Sequence, residues 1–299
     1  MDKQKKQSLR RTLTQCAAFA LSNGYLRGFA EGKIYKGKGK ALCVPGLSCY
    51  SCPGALGSCP IGALQAVLDG GKFRFAAYVL GLLLLFGTLL GRLVCGWLCP
   101  FGLVQDLLHK IPLGKKRKNL PGHRFLVIVK YIVLALFVVL LPMTVTNDFG
   151  LGRPWFCQYI CPSGTLFGGI PLLLANKSLR GNLGWLFGLK IGLLALFLVL
   201  SVVTYRPFCK YVCPLGAIYG CFNPISLSRM EIAEDKCTRC GKCQAACGMD
   251  IRVWEQPNHS ACIRCGKCRA VCPQDAITST MDQLLKNRRS TAPGAASED

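Results

Sequence analysis

Histidine is almost missing from this chain: His109, His123 and His259 are the three in 299 residues. None lies in the middle of an apolar run, so a haem held between two histidines inside a helical bundle is excluded. Acid is scarce too, with 14 Asp and Glu against 37 Lys and Arg, a formal net charge of +23. No Gly-x-Gly-x-x-Gly loop and no phosphate-cradling P-loop occurs, so neither hydride exchange with a nicotinamide cofactor nor ATP hydrolysis is expected. The basic N-terminus is not followed by a clean apolar core with a small-residue cleavage site, so no cleavable signal peptide is expected.

Apolar residues and cysteine are present in quantity. The chain is 51% hydrophobic, with a mean hydropathy of +0.34 and twenty cysteines. That composition predicts membrane spans, and cysteines in regular motifs point to metal more than to a disulfide scaffold. Membrane topology accounts for basic charge of this kind, so lipid and not nucleic acid is the expected contact.

The densest motif runs Cys237-x2-Cys240-x2-Cys243-x3-Cys247, then Cys262-x2-Cys265-x2-Cys268-x3-Cys272-Pro273. This is the spacing of a bacterial two-cluster ferredoxin, in which three thiolates wrap one 4Fe–4S cube and the fourth crosses to the other. One cluster is thus expected on Cys237, Cys240, Cys243 and Cys272, and the other on Cys262, Cys265, Cys268 and Cys247. Zinc is the alternative for paired Cys-x-x-Cys text, but it takes four ligands, and eight in two matched runs exceed one site. The first run departs by ending Cys247-Gly248.

Strong spans are expected at 73–94, 124–146 and 183–205, and a poorer one at 12–30, where Asn23 and Arg27 intrude. Residues 164–175 are apolar but too short to cross. Two spans repeat one text, KYIVLALFVVL from Lys130 and KIGLLALFLVL from Lys190. Each lysine stands near its span's start, where it can snorkel. Cys-Pro-x-Gly occurs four times, at Cys59, Cys99, Cys161 and Cys213. Proline there suits the first turn of a new helix, whose free N–H groups favour a thiolate.

Alternation of spans puts Cys95, Cys99, Cys209 and Cys213 on one side, with the ferredoxin segment. These four are candidates for a third cluster at the inner membrane face. Cys157 and Cys161 fall on the other side with the 31–72 loop, giving six outer candidates with Cys43, Cys49, Cys52 and Cys59. The preferred outer set is Cys52, Cys59, Cys157 and Cys161; disulfides are the alternative there. The two sets would be about 30 Å apart if each sat at its own interface. Basic residues crowd the 96–124 linker and the C-terminal segment, which assigns that side to the cytoplasm. His109 and Asp106 are candidate proton acceptors for a quinol at the inner face.

This order of spans, Cys-x3-Cys-Pro motifs and terminal ferredoxin resembles the NapH/MauN-type membrane ferredoxins, and in pattern the C-terminal part of NosR-type proteins. The likeness reaches from the N-terminal helix to about residue 280. It implies a mainly α membrane protein with about four transmembrane helices and a two-cluster ferredoxin domain on the cytoplasmic side of the inner (cytoplasmic) membrane. It also implies electron transfer between the quinone pool and a redox partner protein. The pair Cys157/Cys161 and the 43–59 loop are extra to that pattern and point to a different partner. The expected division is 1–72 for an N-terminal helix and Cys-rich loop, 73–227 for the membrane domain, 228–280 for the ferredoxin domain and 281–299 for a disordered tail. An electron-transfer component of a quinol dehydrogenase or reductase system is the first functional reading. The second is an accessory or maturation factor that reduces metal or thiols in a partner enzyme.

Overall fold

The computed structural model describes residues 3–68, 73–113, 116–145, 153–182, 184–281 and 283. The tail expected beyond 283 lies outside the described residues. The fold is mostly helical. α1 (Lys3–Ser22), α2 (Leu26–Glu31) and α3 (Pro60–Leu68) precede α4 (Phe73–Leu90), α5 (Leu93–Trp97) and α6 (Pro100–Lys110). Then come α7 (His123–Thr144) and α8 (Pro162–Ala175), followed by α9 (Trp185–Val203), α10 (Pro207–Tyr211) and α11 (Pro214–Phe222). The ferredoxin segment adds α12 (Lys242–Ala246) and α13 (Lys267–Ala270). Its ends close in an antiparallel pair, β1 (Met230–Ile232) on β2 (Ile277–Ser279), with Glu231 opposite Thr278.

Among the described residues, α7 and α9 are the helices long and apolar enough to cross a membrane. Only 22% and 17% of their apolar stretches are buried, so most of each apolar surface faces outward. The core helix of a soluble protein would be covered. The expected span at 73–94 is cut short. α4 ends at Leu90, and Gly91, with φ +53°, turns the chain into α5. The expected crossing at 12–30 is broken between Ser22 and Leu26. α1 nevertheless runs the depth of the molecule. Lys3 pairs with Asp275 of the ferredoxin segment at 3.2 Å, and Phe19 packs on Phe167 at the far end, with ring centroids 5.6 Å apart. Twenty helical residues reach about 30 Å.

All four Cys-Pro-x-Gly texts open a helix at the proline: Pro60, Pro100, Pro162 and Pro214. A first-turn proline gives up no hydrogen bond. Each preceding cysteine is thereby set at a helix start, aimed into the core that the cysteine-bearing segments share.

Candidate iron–sulfur sites

In the ferredoxin segment the two cysteine runs repeat at a spacing of 25 residues, and so does their backbone. Left-handed φ angles recur at Arg239 and Arg264, at Gly241 and Gly266, and at Asp250 and Asp275. These turns direct main-chain N–H groups at sulfur; Met249, Asp250 and Ile251 all serve Cys247. The turns enclose two pockets. One is lined by Cys237, Cys240, Cys243 and Cys272 with Trp254 and Ile277. The other is lined by Cys247, Cys262, Cys265 and Cys268 with Tyr205, Met249 and Val253. Each takes three cysteines from one run and the fourth from the other. Gly248, where the second run has proline, has a packing reason. A Cβ there would stand 2.5 Å from the Tyr205 ring, which packs in from the membrane portion.

Cys95, Cys99, Cys209 and Cys213 converge on a third site. All four are buried, and each lies within electrostatic reach of others in the set. Helix starts contribute as the sequence suggests: the Gly216 N–H donates to Cys213 Sγ at 3.4 Å. Gln105 Nε2, wholly buried, donates to Cys209 Sγ at 3.1 Å. Two fully buried arginines flank the site. Arg206 Nη1 donates to the Cys95 carbonyl at 2.5 Å. Arg92 Nη2 donates to the Cys209 carbonyl at 2.8 Å, and its Nη1 donates to Ser260 of the ferredoxin segment at 2.9 Å. Burial pushes the Cys209 thiol up to about 11. Thiolates here therefore need positive charge, which arginine and iron can supply.

A fourth convergence joins Cys59, Cys157 and Cys161, and its fourth thiol is Cys49. Cys52, grouped with them from sequence, points elsewhere. It is fully buried beside Cys49 and Lys40, with the Gly54 and Ala55 amides at its sulfur. A tight turn joins Cys49 and Cys52, closed by Cys52 N–H donating to the Cys49 carbonyl at 3.1 Å, and it is Cys49 that lies within reach of Cys59, Cys157 and Cys161. A glycine leaves the room: a Cβ at Gly168 would crowd Cys49 Sγ and the Ser51 carbonyl, each at 3.3 Å. Gln65 Nε2 donates to Cys157 Sγ at 3.4 Å, repeating the part Gln105 plays in the other site. Both glutamines stand six residues after the cysteine of a Cys-Pro-x-Gly text. That shared offset was available in the sequence and was missed, as were Arg92 and Arg206.

The repeated lysines also face these sites. Lys190 Nζ donates to the Cys157 carbonyl at 3.4 Å. Lys130 does not snorkel: it is 0% exposed, its Nζ has no hydrogen-bond partner, and it lies within reach of Cys95 and Cys213. Its helix turns that side chain inward, toward the third site, and not along the helix to water.

Asp106 is no proton acceptor. Arg206 and Arg11 both pair with it, and Gln15 Nε2 donates to it at 3.3 Å. Burial alone would raise this carboxyl, but the two guanidiniums outweigh burial and hold it well below the usual carboxylate range. His109 is lowered by burial and by Lys116, and its Nδ1 contacts the Ser201 carbonyl at 3.3 Å.

Among the described residues, no three Cys, His, Asp or Glu side chains gather closely enough to hold one metal ion. Tetrahedral zinc, with Zn–S near 2.3 Å, needs sulfurs about 3.8 Å apart. In the ferredoxin segment the two sets of four thiols line a volume and not a point, and a four-iron cube with four thiolate corners fits that arrangement.

Comparison with known proteins agrees. A family described as "4Fe-4S binding domain" matches residues 73–121, 129–179 and 185–230, and a second family of the same description matches 256–278. The uncharacterized protein MJ0749 of Methanocaldococcus jannaschii is 31% identical over 202 residues, 66% of this chain and 67% of that protein. The methylamine utilization ferredoxin-type protein MauN of Methylorubrum extorquens is 29% identical, covering 63% of this chain and 59% of its own length. The ferredoxin-type protein NapH of Haemophilus influenzae is 29% identical, covering 60% and 55%. No solved structure matches the chain. Helical scaffold, thiol cages and matched domains define an iron–sulfur electron-transfer protein. The chain belongs to the NapH/MauN-type 4Fe–4S ferredoxin proteins.

Proposed function

We propose that this protein is a multi-pass protein of the inner membrane that passes single electrons between the quinone pool and a redox partner protein. Its ferredoxin domain, residues 228–280, is on the cytoplasmic side of a membrane domain at 73–227. The ligands are Cys237, Cys240, Cys243 and Cys272; Cys247, Cys262, Cys265 and Cys268; Cys95, Cys99, Cys209 and Cys213; and, at the outer site, Cys49, Cys59, Cys157 and Cys161. Each bound cluster supplies a one-electron carrier. The protein supplies buried thiols, helix-start amides, the two glutamines and the arginines that balance thiolate charge. Four crossings are supported by α7 and α9, by the outward apolar surface of α4 and by the reach of α1.

The observation that carries the reading is the convergence of Cys95, Cys99, Cys209 and Cys213, which come from two distant segments yet meet beside the ferredoxin pockets. Iron and acid-labile sulfide on anaerobically purified protein test it, with EPR after stepwise reduction. About sixteen irons per chain are expected for four cubes. About eight would confine iron to the ferredoxin domain and sink the membrane sites. Added quinol should reduce the clusters; a protein that dithionite reduces and quinol does not would refute the quinone assignment.

A further inference from the structure

Sequence alone sets the inner and outer thiol sets a hydrocarbon thickness apart. The structure closes that gap with the loop that carries Cys49. The loop folds inward until its backbone touches the inner site. A Cβ at Gly46 would stand 3.3 Å from the Cys99 Cα, so no side chain or lipid fits between them. Leu47, 2% exposed, turns its main-chain N–H to the Cys99 sulfur. Its carbonyl accepts from Ser163 Oγ at 3.4 Å, two residues beyond Cys161. Leu47 is itself two residues before Cys49. One residue thus reaches a thiol of the inner set and two segments of the outer set. A second link runs parallel: Tyr219 Oη donates to the Pro45 carbonyl at 3.1 Å. The Tyr219 ring lies within electrostatic reach of Cys95 and Cys99 on one side and Cys59 on the other.

We propose that the Pro45–Leu47 segment is a fixed joint coupling the inner and outer sites, so that electrons cross between the two faces within this chain and need no diffusing carrier between those sites. The proposal rests on the reading of both sites as cluster sites. One electron leaves the reduced site and arrives at its oxidised neighbour; no bond forms or breaks, and no proton moves. Gly46 and Leu47 are buried and already in contact with the inner site, so no rearrangement precedes the transfer. On the inner side the relay continues by a second contact. Gly96 packs on the Ile263 carbonyl, and Trp97 Nε1 donates to the Arg264 carbonyl at 2.9 Å, which sets the backbone after Cys95 against the backbone after Cys262.

EPR of the purified chain reduced with excess dithionite tests the joint. In the wild type, the signal of the inner site should be split by spin–spin interaction with the outer one. Cys161→Ser should lose about four irons, and with them one component of that splitting from the signal that remains. Gly46→Val wedges the loop away from Cys99; it should keep about sixteen irons and show weakened splitting. Sixteen irons in the wild type, with a Cys161→Ser spectrum equal to the wild type minus one isolated signal, overturns the joint and leaves the cluster assignment standing. About twelve irons in the wild type overturns the outer cluster itself, and the joint with it. Should Gly46→Val fail to fold, the Cys161→Ser comparison decides alone.

Discussion

The carboxylate of Asp106 fastens α1 to the rest of the molecule, and its removal has a calculable result. Arg11 of α1 and Arg206 both bind it, and all three side chains are almost completely buried. Asp106→Asn strands two guanidiniums in the interior, and breaking a buried pair in this way costs about 3–5 kcal/mol. Arg11→Met is milder, because Arg206 still neutralises Asp106. It loses the charge-assisted bond to Asp106 and the bond to Tyr205 Oη at 3.1 Å, about 1.5–3 kcal/mol. Amide hydrogen exchange across residues 8–20 reads the opening of α1 directly. At about 1.4 kcal/mol per tenfold, Arg11→Met should speed exchange roughly 10- to 150-fold, and Asp106→Asn by roughly two to three and a half powers of ten. The double variant should exchange no faster than Asp106→Asn, since with Arg11 gone one stranded charge is removed. Single effects that simply add in the double variant, within about 0.5 kcal/mol, would refute this coupling. The pH dependence carries a sign as well. The Asp106 pKa is depressed in the fold, so its contribution is complete above the unfolded value near 3.9 and is lost as pH falls below that. Between pH 5 and 8 the opening free energy of α1 should therefore not change through this group.

Cys49→Ser should lose about four irons per chain and Cys52→Ser none, as measured by iron and sulfide content; the reverse result restores the grouping suggested by sequence. Gly96→Val collides with the Ile263 carbonyl. It should preserve the two ferredoxin signals in EPR while abolishing their interaction with the inner site, and an unchanged spectrum would show that this seam does not matter. Gln105→Leu removes the donor to Cys209 Sγ, and loss of a hydrogen bond to sulfur should lower that cluster's reduction potential by a few tens of millivolts. Potentiometric titration checks this, and Gln65→Leu should move a different signal.

Much of the site could be read before the fold was known, because thiol spacing within one run is local. Cys237 through Cys272 are bound to their pockets by turns only a few residues long, and their text carries the pattern. The grouping of Cys95 and Cys99 with Cys209 and Cys213 followed from counting spans, which needs only hydropathy. What escaped depended on direction and depth. Nothing in the text CYSCPGALGSCP says which of Cys49 and Cys52 will meet Cys161, because that is set by how the loop packs on a segment more than a hundred residues away. Lys130 looked free to reach water because sequence shows its position along a helix and not which way it faces. The inward fold of the 43–59 loop was invisible for the same reason. Its backbone meets single side-chain groups, the Cys99 sulfur and the Ser163 and Tyr219 hydroxyls, far away in the chain.

Gly248 against the Tyr205 ring and Gly96 against the Ile263 carbonyl leave no slack between the ferredoxin domain and the membrane portion. A tethered ferredoxin on a loose linker could swing, collecting charge from one protein and handing it to another. This one is bolted to its base, so its carriers keep their spacing while its partners come and go. On the proposed relay, a partner is recognised at a surface outside this rigid seam, and such a surface can change over evolution without retuning the interior.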